Sequence, residues 1–120
     1  KFENLLINKK SETFDIIIDD ASHIYSDILN NFKNFLPKVK SGGFYIIEDF
    51  NHYKYYSHLD DSLPFSLKIE EILENLKTKQ NFESNILDGK FQNYCFNNIS
   101  EVSMHKGIQK DSYIAFIKKK

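Results

Sequence analysis

The sequence FDIIIDDASH, residues 14–23, joins three consecutive isoleucines to two acids and an imidazole at its carboxyl end. Such an uninterrupted apolar run is typical of a strand that is covered on both faces, as in a parallel sheet. A second run, GGFYIIED at residues 42–49, again places two carboxylates after an apolar strand. Ligands of open α/β sheets bind outside the carboxyl ends of the strands, so both acidic pairs are predicted to lie at one functional rim.

A helix is predicted between these two strands. From Ser22 onward the apolar residues recur at three- and four-residue spacing, and Ser22 or Ser26 could cap the helix: Ile24, Ile28, Leu29, Phe32, Phe35 and Leu36. Pro37 and then Ser41-Gly42-Gly43 are predicted to end the helix and turn the chain. The first strand is expected from Phe14 to Asp19, and the second from Phe44 to Glu48.

The flanking segments complete an α/β fold. Residues 1–7 fit the end of a helix and residues 8–13 a loop, while Pro64 opens a further helix. Residues 91–96 are interpreted as a short strand or irregular structure, and residues 99–105 and 112–117 as strands joined by a turn. We therefore expect parallel strands with helices and an antiparallel strand pair at the C-terminal edge.

Composition limits the classes of function. The chain has 120 residues, a formal net charge of -1 and one cysteine. It contains no apolar stretch of the roughly 20 residues that span a bilayer. These properties predict one small domain in a reducing cytoplasm, without binding to nucleic acid or a membrane. The first strand follows only a few residues of helix, so residues 1–120 are expected to form part of a larger domain.

The two acidic pairs suggest a metal site. Asp19-Asp20 and Glu48-Asp49 end adjacent strands if the right-handed crossover rule holds. Neighbouring strands lie about 4.8 Å apart, so one carboxylate from each could bind the same cation. Mg²⁺ favours one or two carboxylates completed by water and substrate oxygens. The alternative is that Asp20 caps the following helix and that Glu48-Asp49 is only a polar strand end.

His23 and the loop after the second strand are the other candidates. A neutral imidazole can take a proton from a substrate hydroxyl, and a helix N-terminus disfavours the imidazolium. The loop FNHYKYYSH, residues 50–58, is aromatic and polar and could cover a substrate. Each has a structural alternative, namely an exposed histidine without a role and a loop that packs over a sheet edge. Cys95 lacks an activating neighbour and is predicted to be a buried residue that only fills space in the core.

Together, FDIIIDDASH and FLPKVKSGGFYIIEDF, residues 35–50, resemble the second half of a class I S-adenosylmethionine-dependent methyltransferase with a Rossmann-like fold. The acids with His23 resemble more narrowly the macrocin and mycinamicin sugar O-methyltransferases and the related cephalosporin-hydroxylase-type proteins. The resemblance covers residues 14 to about 56 well and the terminal strands only by general pattern. Ala21 departs from the family, which usually has glycine at this position.

The resemblance implies a mechanism and a set of roles. Asp20 and Asp49 would be Mg²⁺ ligands, His23 the general base toward a sugar hydroxyl, and Asp19 a contact of the cofactor S-adenosylmethionine. The acceptor would be a small molecule or a glycan. The glycine-rich cofactor loop of such enzymes has no counterpart in residues 1–120, which are thus expected to be the C-terminal half of the domain.

Two other functions remain open at this point. The chain could be a non-catalytic module that folds by pairing the exposed edge of its first strand with another chain, including a second copy of itself. The same acids could instead serve a metal-dependent hydrolase, although the sequence offers no separate nucleophile.

Overall fold

The computed structural model describes residues 13–60, 67–109 and 111–120. Within these residues, the chain forms four strands and three α-helices in this order: β1 Phe14–Asp19, α1 Tyr25–Phe35, β2 Val39–Glu48, α2 Ile69–Thr78, α3 Gly89–Asn98, β3 Ile99–Lys106 and β4 Tyr113–Lys119. Short 3₁₀ turns cover Leu36–Lys38, His52–Tyr55 and Ser57–Leu59. None of the described helices is long and apolar enough to cross a membrane.

The strands form one mixed sheet in the order β1-β2-β4-β3. β1 and β2 are parallel neighbours, with Asp19 opposite Ile47, so both strands end at the same rim. β4 pairs antiparallel with β2 on one side and with β3 on the other. The α/β fold class and the antiparallel C-terminal pair are therefore confirmed, and β1 has the predicted bounds.

The hydrophobic core lies between one face of the sheet and the helices. β2 contributes Tyr45 and Ile47, and α1 contributes Phe32, all nearly inaccessible to solvent. The Phe32 ring meets the ring of Tyr45 edge-on at 5.3 Å and that of Phe91 from α3 at 5.5 Å. Edge-to-face pairs of this kind add to the stabilisation from area burial. They fix α1 over β2 and thereby fix the loop that joins β1 to α1.

The opposite face of β1 is open, which contradicts the prediction of a strand covered on both faces. Ile16 and Ile18 are 54% and 56% exposed. Both point away from the helices, since residues two apart along a strand share a face. Part of the apolar run of β1 is therefore left exposed by the described part of this chain.

The Gly42-Gly43 turn was predicted wrongly, because both glycines lie inside β2, which already begins at Val39. Gly42 has φ +81°, and the register with β1 shifts between Phe14 and Ile16. Gly43 has no room for a side chain, since a Cβ there would lie 2.4 Å from the carbonyl oxygen of Asp15. The glycines permit close approach of β1 to β2 instead of ending a helix.

Three further expectations are corrected. Neither Ser22 nor Ser26 caps α1, which begins at Tyr25 after Ile24 without a side-chain cap. Residues 91–96 are helical within α3, where the Asp88 carboxylate accepts a hydrogen bond from the backbone N–H of Phe91. The predicted helix end at residues 1–7, most of the adjoining loop and the helix start at Pro64 lie outside the described residues.

Candidate metal centre

The structure brings Asp20, His23 and Asp49 together at the carboxyl ends of β1 and β2. One ligand atom from each of these side chains lies within 4.8 Å of those from the other two. The parallel pairing of β1 with β2 is the cause, because the residues that follow the two strands emerge side by side. Asp20 is exposed, whereas His23 and Asp49 are half-buried. The cluster is thus open to a ligand from solvent.

Two of the three residues have an unusual backbone. His23 has φ +64° and Asp49 has φ +53°, which places both in the left-handed region. Non-glycine residues are uncommon there, and such conformations are concentrated at active sites and ligand clamps. Asp49 directly follows β2, and His23 is the fourth residue after the end of β1. The unusual backbone conformations therefore occur at two of the residues whose side chains converge, His23 and Asp49.

The loop between β1 and α1 is held by its own hydrogen bonds. The Ser22 hydroxyl accepts a hydrogen bond from the backbone N–H of Ile24 at 3.2 Å and donates one to the Asp27 carboxylate at 2.6 Å. Next to it, Nε2 of His23 lies 3.6 Å from Oδ1 of Asp20. His23 precedes the first turn of α1, so it does not sit on the helix as the sequence predicted.

Asp49 is approached from the turn between β3 and β4. The Ser112 hydroxyl donates a hydrogen bond of 2.9 Å to Oδ1 of Asp49. Nε2 of His52 lies 3.8 Å from the same oxygen and 2.9 Å from the backbone carbonyl of Asp111. A carbonyl oxygen only accepts, so this contact places the proton on Nε2 of His52. Nε2 of His52 is therefore occupied by its hydrogen bond to the Asp111 carbonyl.

Asp19 lies apart from the cluster. Its carboxylate accepts hydrogen bonds from the backbone N–H of Ala21 at 3.1 Å and from the amide of Asn31 at 3.5 Å. Burial raises the pKa of Asp19, a shift that these hydrogen bonds partly offset. The residue lines a cavity of about 570 Å³ along β1 and the second half of α1, and Asp20 lines the same cavity. Glu48, the last residue of β2, is half-buried and is not one of the three clustered residues.

The donor set fits a divalent cation. Two oxygens on opposite sides of Mg²⁺, each about 2.1 Å from the ion, are about 4.2 Å apart. The 4.8 Å limit within the cluster is close to that span, so small side-chain rotations suffice for two carboxylates to share an ion. Carboxylate oxygens suit Mg²⁺, whereas imidazole is a ligand more typical of transition metals. Asp20 and Asp49 are therefore the residues best matched to Mg²⁺.

Several residues around this cluster were not singled out by the sequence. His52 was only part of a candidate covering loop, and its ring packs 5.8 Å from that of His23. Asp111 and Ser112 were assigned to a turn or a strand without a role at the site. The Tyr55 hydroxyl donates a hydrogen bond of 2.8 Å to the Asp111 carboxylate and closes this set of contacts. The only local signal was the polar, aromatic composition of residues 50–58.

Comparisons with known proteins agree with the motifs. No protein-family model matches the chain. L-olivosyl-oleandolide 3-O-methyltransferase from Streptomyces antibioticus is 50% identical over 36 residues, which are 30% of this chain and 9% of that enzyme. Demethylmacrocin O-methyltransferase from Streptomyces fradiae is 50% identical over 36 residues, with the same two coverages, 30% and 9%.

A solved structure is similar over nearly the whole chain. It is the MycE methyltransferase from the mycinamycin biosynthetic pathway in complex with Mg, SAH and mycinamycin VI. The TM-score is 0.59 at 26% identity, and the match covers 94% of this chain and 27% of that chain. The chain thus spans only about a quarter of this structure and about a tenth of the curated relatives. In sequence and in fold, it resembles the sugar O-methyltransferases of the macrocin and mycinamicin type.

Proposed function

We propose that this chain forms the acceptor-binding part of a Mg²⁺-dependent sugar O-methyltransferase that uses S-adenosylmethionine. The observation that carries the proposal is the convergence of Asp20, His23 and Asp49 at one strand rim. Support comes from the similarity to a methyltransferase whose solved structure contains Mg and SAH. The acceptor class, a sugar hydroxyl, is taken from relatives such as L-olivosyl-oleandolide 3-O-methyltransferase and demethylmacrocin O-methyltransferase.

Asp20 and Asp49 are the proposed Mg²⁺ ligands, because carboxylate oxygens are the side-chain atoms that suit this ion. A Mg²⁺ ion held there would supply Lewis-acid polarisation of the acceptor hydroxyl. Asp20 is exposed and Asp49 half-buried, so a sugar hydroxyl can reach this position from solvent. The two carboxylates follow different strands, β1 and β2, which end side by side at the same rim.

His23 is the proposed general base. Its imidazole takes the proton of the acceptor hydroxyl as that oxygen attacks the methyl carbon of the sulfonium cosubstrate. S-adenosylmethionine would supply the methyl group: the O–CH₃ bond would form as the S–CH₃ bond breaks, with the electron pair staying on sulfur, to give a methyl ether and S-adenosylhomocysteine. The imidazole would hold the proton, and its Nε2 lies 3.6 Å from Oδ1 of Asp20.

Asp19 is proposed to act on the cofactor side of the rim. Its carboxylate accepts hydrogen bonds from Ala21 and Asn31 and lines the cavity beside β1, which Asp20 of the metal cluster also lines. A carboxylate in that setting can accept a hydrogen bond from the cofactor. Asp19→Ala is accordingly expected to raise KM for S-adenosylmethionine more than it lowers kcat.

The test is methyl transfer from labelled S-adenosylmethionine to glycosylated macrolides, measured with the full-length protein. His23→Gln should lower kcat by about 10²- to 10⁴-fold, the usual contribution of a general base. His105→Gln, at an exposed position of β3, is the matched control and should leave kcat unchanged. Undiminished turnover by His23→Gln would rule out the base role, and absence of transfer to any sugar hydroxyl would rule out the acceptor class.

A second candidate is an assembly module. It rests on the exposure of Ile16 and Ile18 on an end strand of the described sheet. Exposed apolar edges invite pairing with another chain. Size-exclusion chromatography with light scattering separates the two ideas, because a module of this kind should form a stable dimer or larger assembly. A monodisperse monomer would argue against it.

A further inference from the structure

We propose that Ser112 is a positioning residue that orients the Asp49 carboxylate for metal binding. The inference rests on the proposed metal site at Asp20 and Asp49 and adds a residue from the opposite end of the chain. Ser112 stands immediately before β4, whereas Asp49 immediately follows β2. The antiparallel pairing of β4 with β2 brings these two positions together.

The direct contact is the hydrogen bond from the Ser112 hydroxyl to Oδ1 of Asp49, 2.9 Å long. A carboxylate rotates freely about its last side-chain bond unless one oxygen is fixed. The Ser112 hydroxyl removes that freedom and leaves the other oxygen of Asp49 available to a cation. Outer partners that orient metal ligands in this way typically change metal affinity 10- to 100-fold when removed.

The turn that carries Ser112 is itself fastened to the loop after Asp49. The Asp111 carbonyl accepts hydrogen bonds from the Asn51 amide at 2.8 Å and from Nε2 of His52 at 2.9 Å. Asp111 has φ +59°, so its carbonyl and the following Ser112 are held in a left-handed turn. The Ser112 hydroxyl is therefore presented to Asp49 by a fixed backbone.

Gly107 gives a second way to disturb the same hydroxyl. A Cβ at Gly107 would lie 2.9 Å from the hydroxyl oxygen of Ser112 and 3.2 Å from the Cβ of Ser112. Contacts this short require the small Ser112 side chain to move. Gly107→Ala thus displaces the hydroxyl without deleting it, whereas Ser112→Ala deletes it without crowding.

The experiment is a Mn²⁺ titration of the full-length protein, followed by electron paramagnetic resonance, with Mn²⁺ standing in for Mg²⁺. Ser112→Ala and Gly107→Ala are each expected to weaken Mn²⁺ binding about 10-fold and to alter the line shape of the bound ion. Ser112→Thr keeps the hydroxyl and should restore the affinity. Ser103→Ala, in β3, is the matched control, since its hydroxyl contacts His105 instead of Asp49.

The outcomes separate the two claims. If the unmodified protein binds Mn²⁺ and Ser112→Ala binds it equally well, the positioning role is overturned and the metal site stands. If the unmodified protein does not bind Mn²⁺, both claims fail. Equal weakening in Ser112→Ala and Ser112→Thr would also overturn the inference, because a general loss of packing, and not the hydroxyl, would then be responsible.

Discussion

Gly43→Ala tests the strand pairing on which the candidate metal centre depends. Gly43 lies in β2, directly beside β1, and a Cβ there would stand 2.4 Å from the carbonyl oxygen of Asp15. The same Cβ would lie 3.0 Å from the carbonyl oxygen of Lys40 and 2.9 Å from a methyl group of Val39. Two of these three neighbours are backbone atoms, so no side-chain rotation relieves the contact.

The expected loss follows from the size of the overlap. The approach to Asp15 is about 1 Å shorter than an ordinary van der Waals contact of roughly 3.4 Å. Overpacking of a tightly fitted site costs about 1–3 kcal/mol when neighbours adjust. Since β1 must move as a backbone, we expect the upper end, about 3 kcal/mol of unfolding free energy. That is a large part of the roughly 5–15 kcal/mol typical of folded proteins.

Urea unfolding monitored by circular dichroism measures this loss. Gly89→Ala is the matched control, because Gly89 is the first residue of α3 and a Cβ there meets nothing within 4 Å. Alanine is also the better helix former, so this control should be neutral or slightly stabilising. A loss below about 1 kcal/mol for Gly43→Ala would refute the close approach of β1 and β2 and, with it, the convergence of their acids.

Three further predictions concern other parts of the fold. Lys119→Ala should lower the unfolding free energy by about 1–3 kcal/mol in urea titrations, because it leaves the buried carbonyl of Val39 without its donor. Lys118→Ala, on the opposite side of β4, should change it far less. Burial raises the pKa of the Cys95 thiol to about 12, so iodoacetamide should label it only after unfolding, as mass spectrometry would show. The Phe91 N–H lowers the pKa of Asp88, so Asp88→Ala should destabilise the protein at neutral pH. Urea titrations at several pH values should show that difference disappearing as the pH falls through the lowered pKa.

The strands and their order at the rim could be predicted from sequence alone. The sequence of β1 contains an apolar run bounded by polar residues. The crossover through α1 makes β2 the parallel neighbour of β1. The acidic pairs follow these strands directly in the sequence. Local pattern and one topological rule were therefore sufficient to bring Asp20, His23 and Asp49 to one place.

Helix α3 was missed because its composition favours strands. Phe91, Tyr94 and Phe96 are aromatic, and such residues are enriched in β-structure. The helical signals were weaker: an Asp88 cap and the four-residue spacing of the buried Phe91 and Cys95. Packing of Phe91 against Phe32 decides the conformation, and that contact depends on the tertiary fold.

Lys119 is one of three consecutive lysines, a composition typical of a solvated segment, yet its side chain is buried. In β4 it shares a face with Ala115 and Ile117, since these residues are separated by two positions, and that face meets the core. Its ammonium group donates hydrogen bonds to the Val39 carbonyl and the Tyr94 hydroxyl, each at 2.8 Å. These two hydrogen-bond partners belong to elements distant in sequence, so no local pattern predicts them.

The contacts around Asp49 were beyond local reasoning for the same reason. Ser112 and Asp111 stand near the end of the chain, and only the pairing of β4 with β2 brings them to the rim. The left-handed backbone of His23 and Asp49 was equally hidden, because neither residue type requires it. Sequence reasoning identified the three residues that the structure brings together, and tertiary contacts determine how their side chains are held.

The most direct test of the account is isothermal titration of Mg²⁺ into the full-length protein and three variants. Asp20→Asn and Asp49→Asn each remove one carboxylate from the cluster and should weaken Mg²⁺ binding by more than about 10-fold. Asp15→Asn, an exposed carboxylate on β1 that pairs with Lys40, is the control and should leave the affinity unchanged. Equal Mg²⁺ affinity in all four proteins would contradict a shared metal site at the ends of β1 and β2.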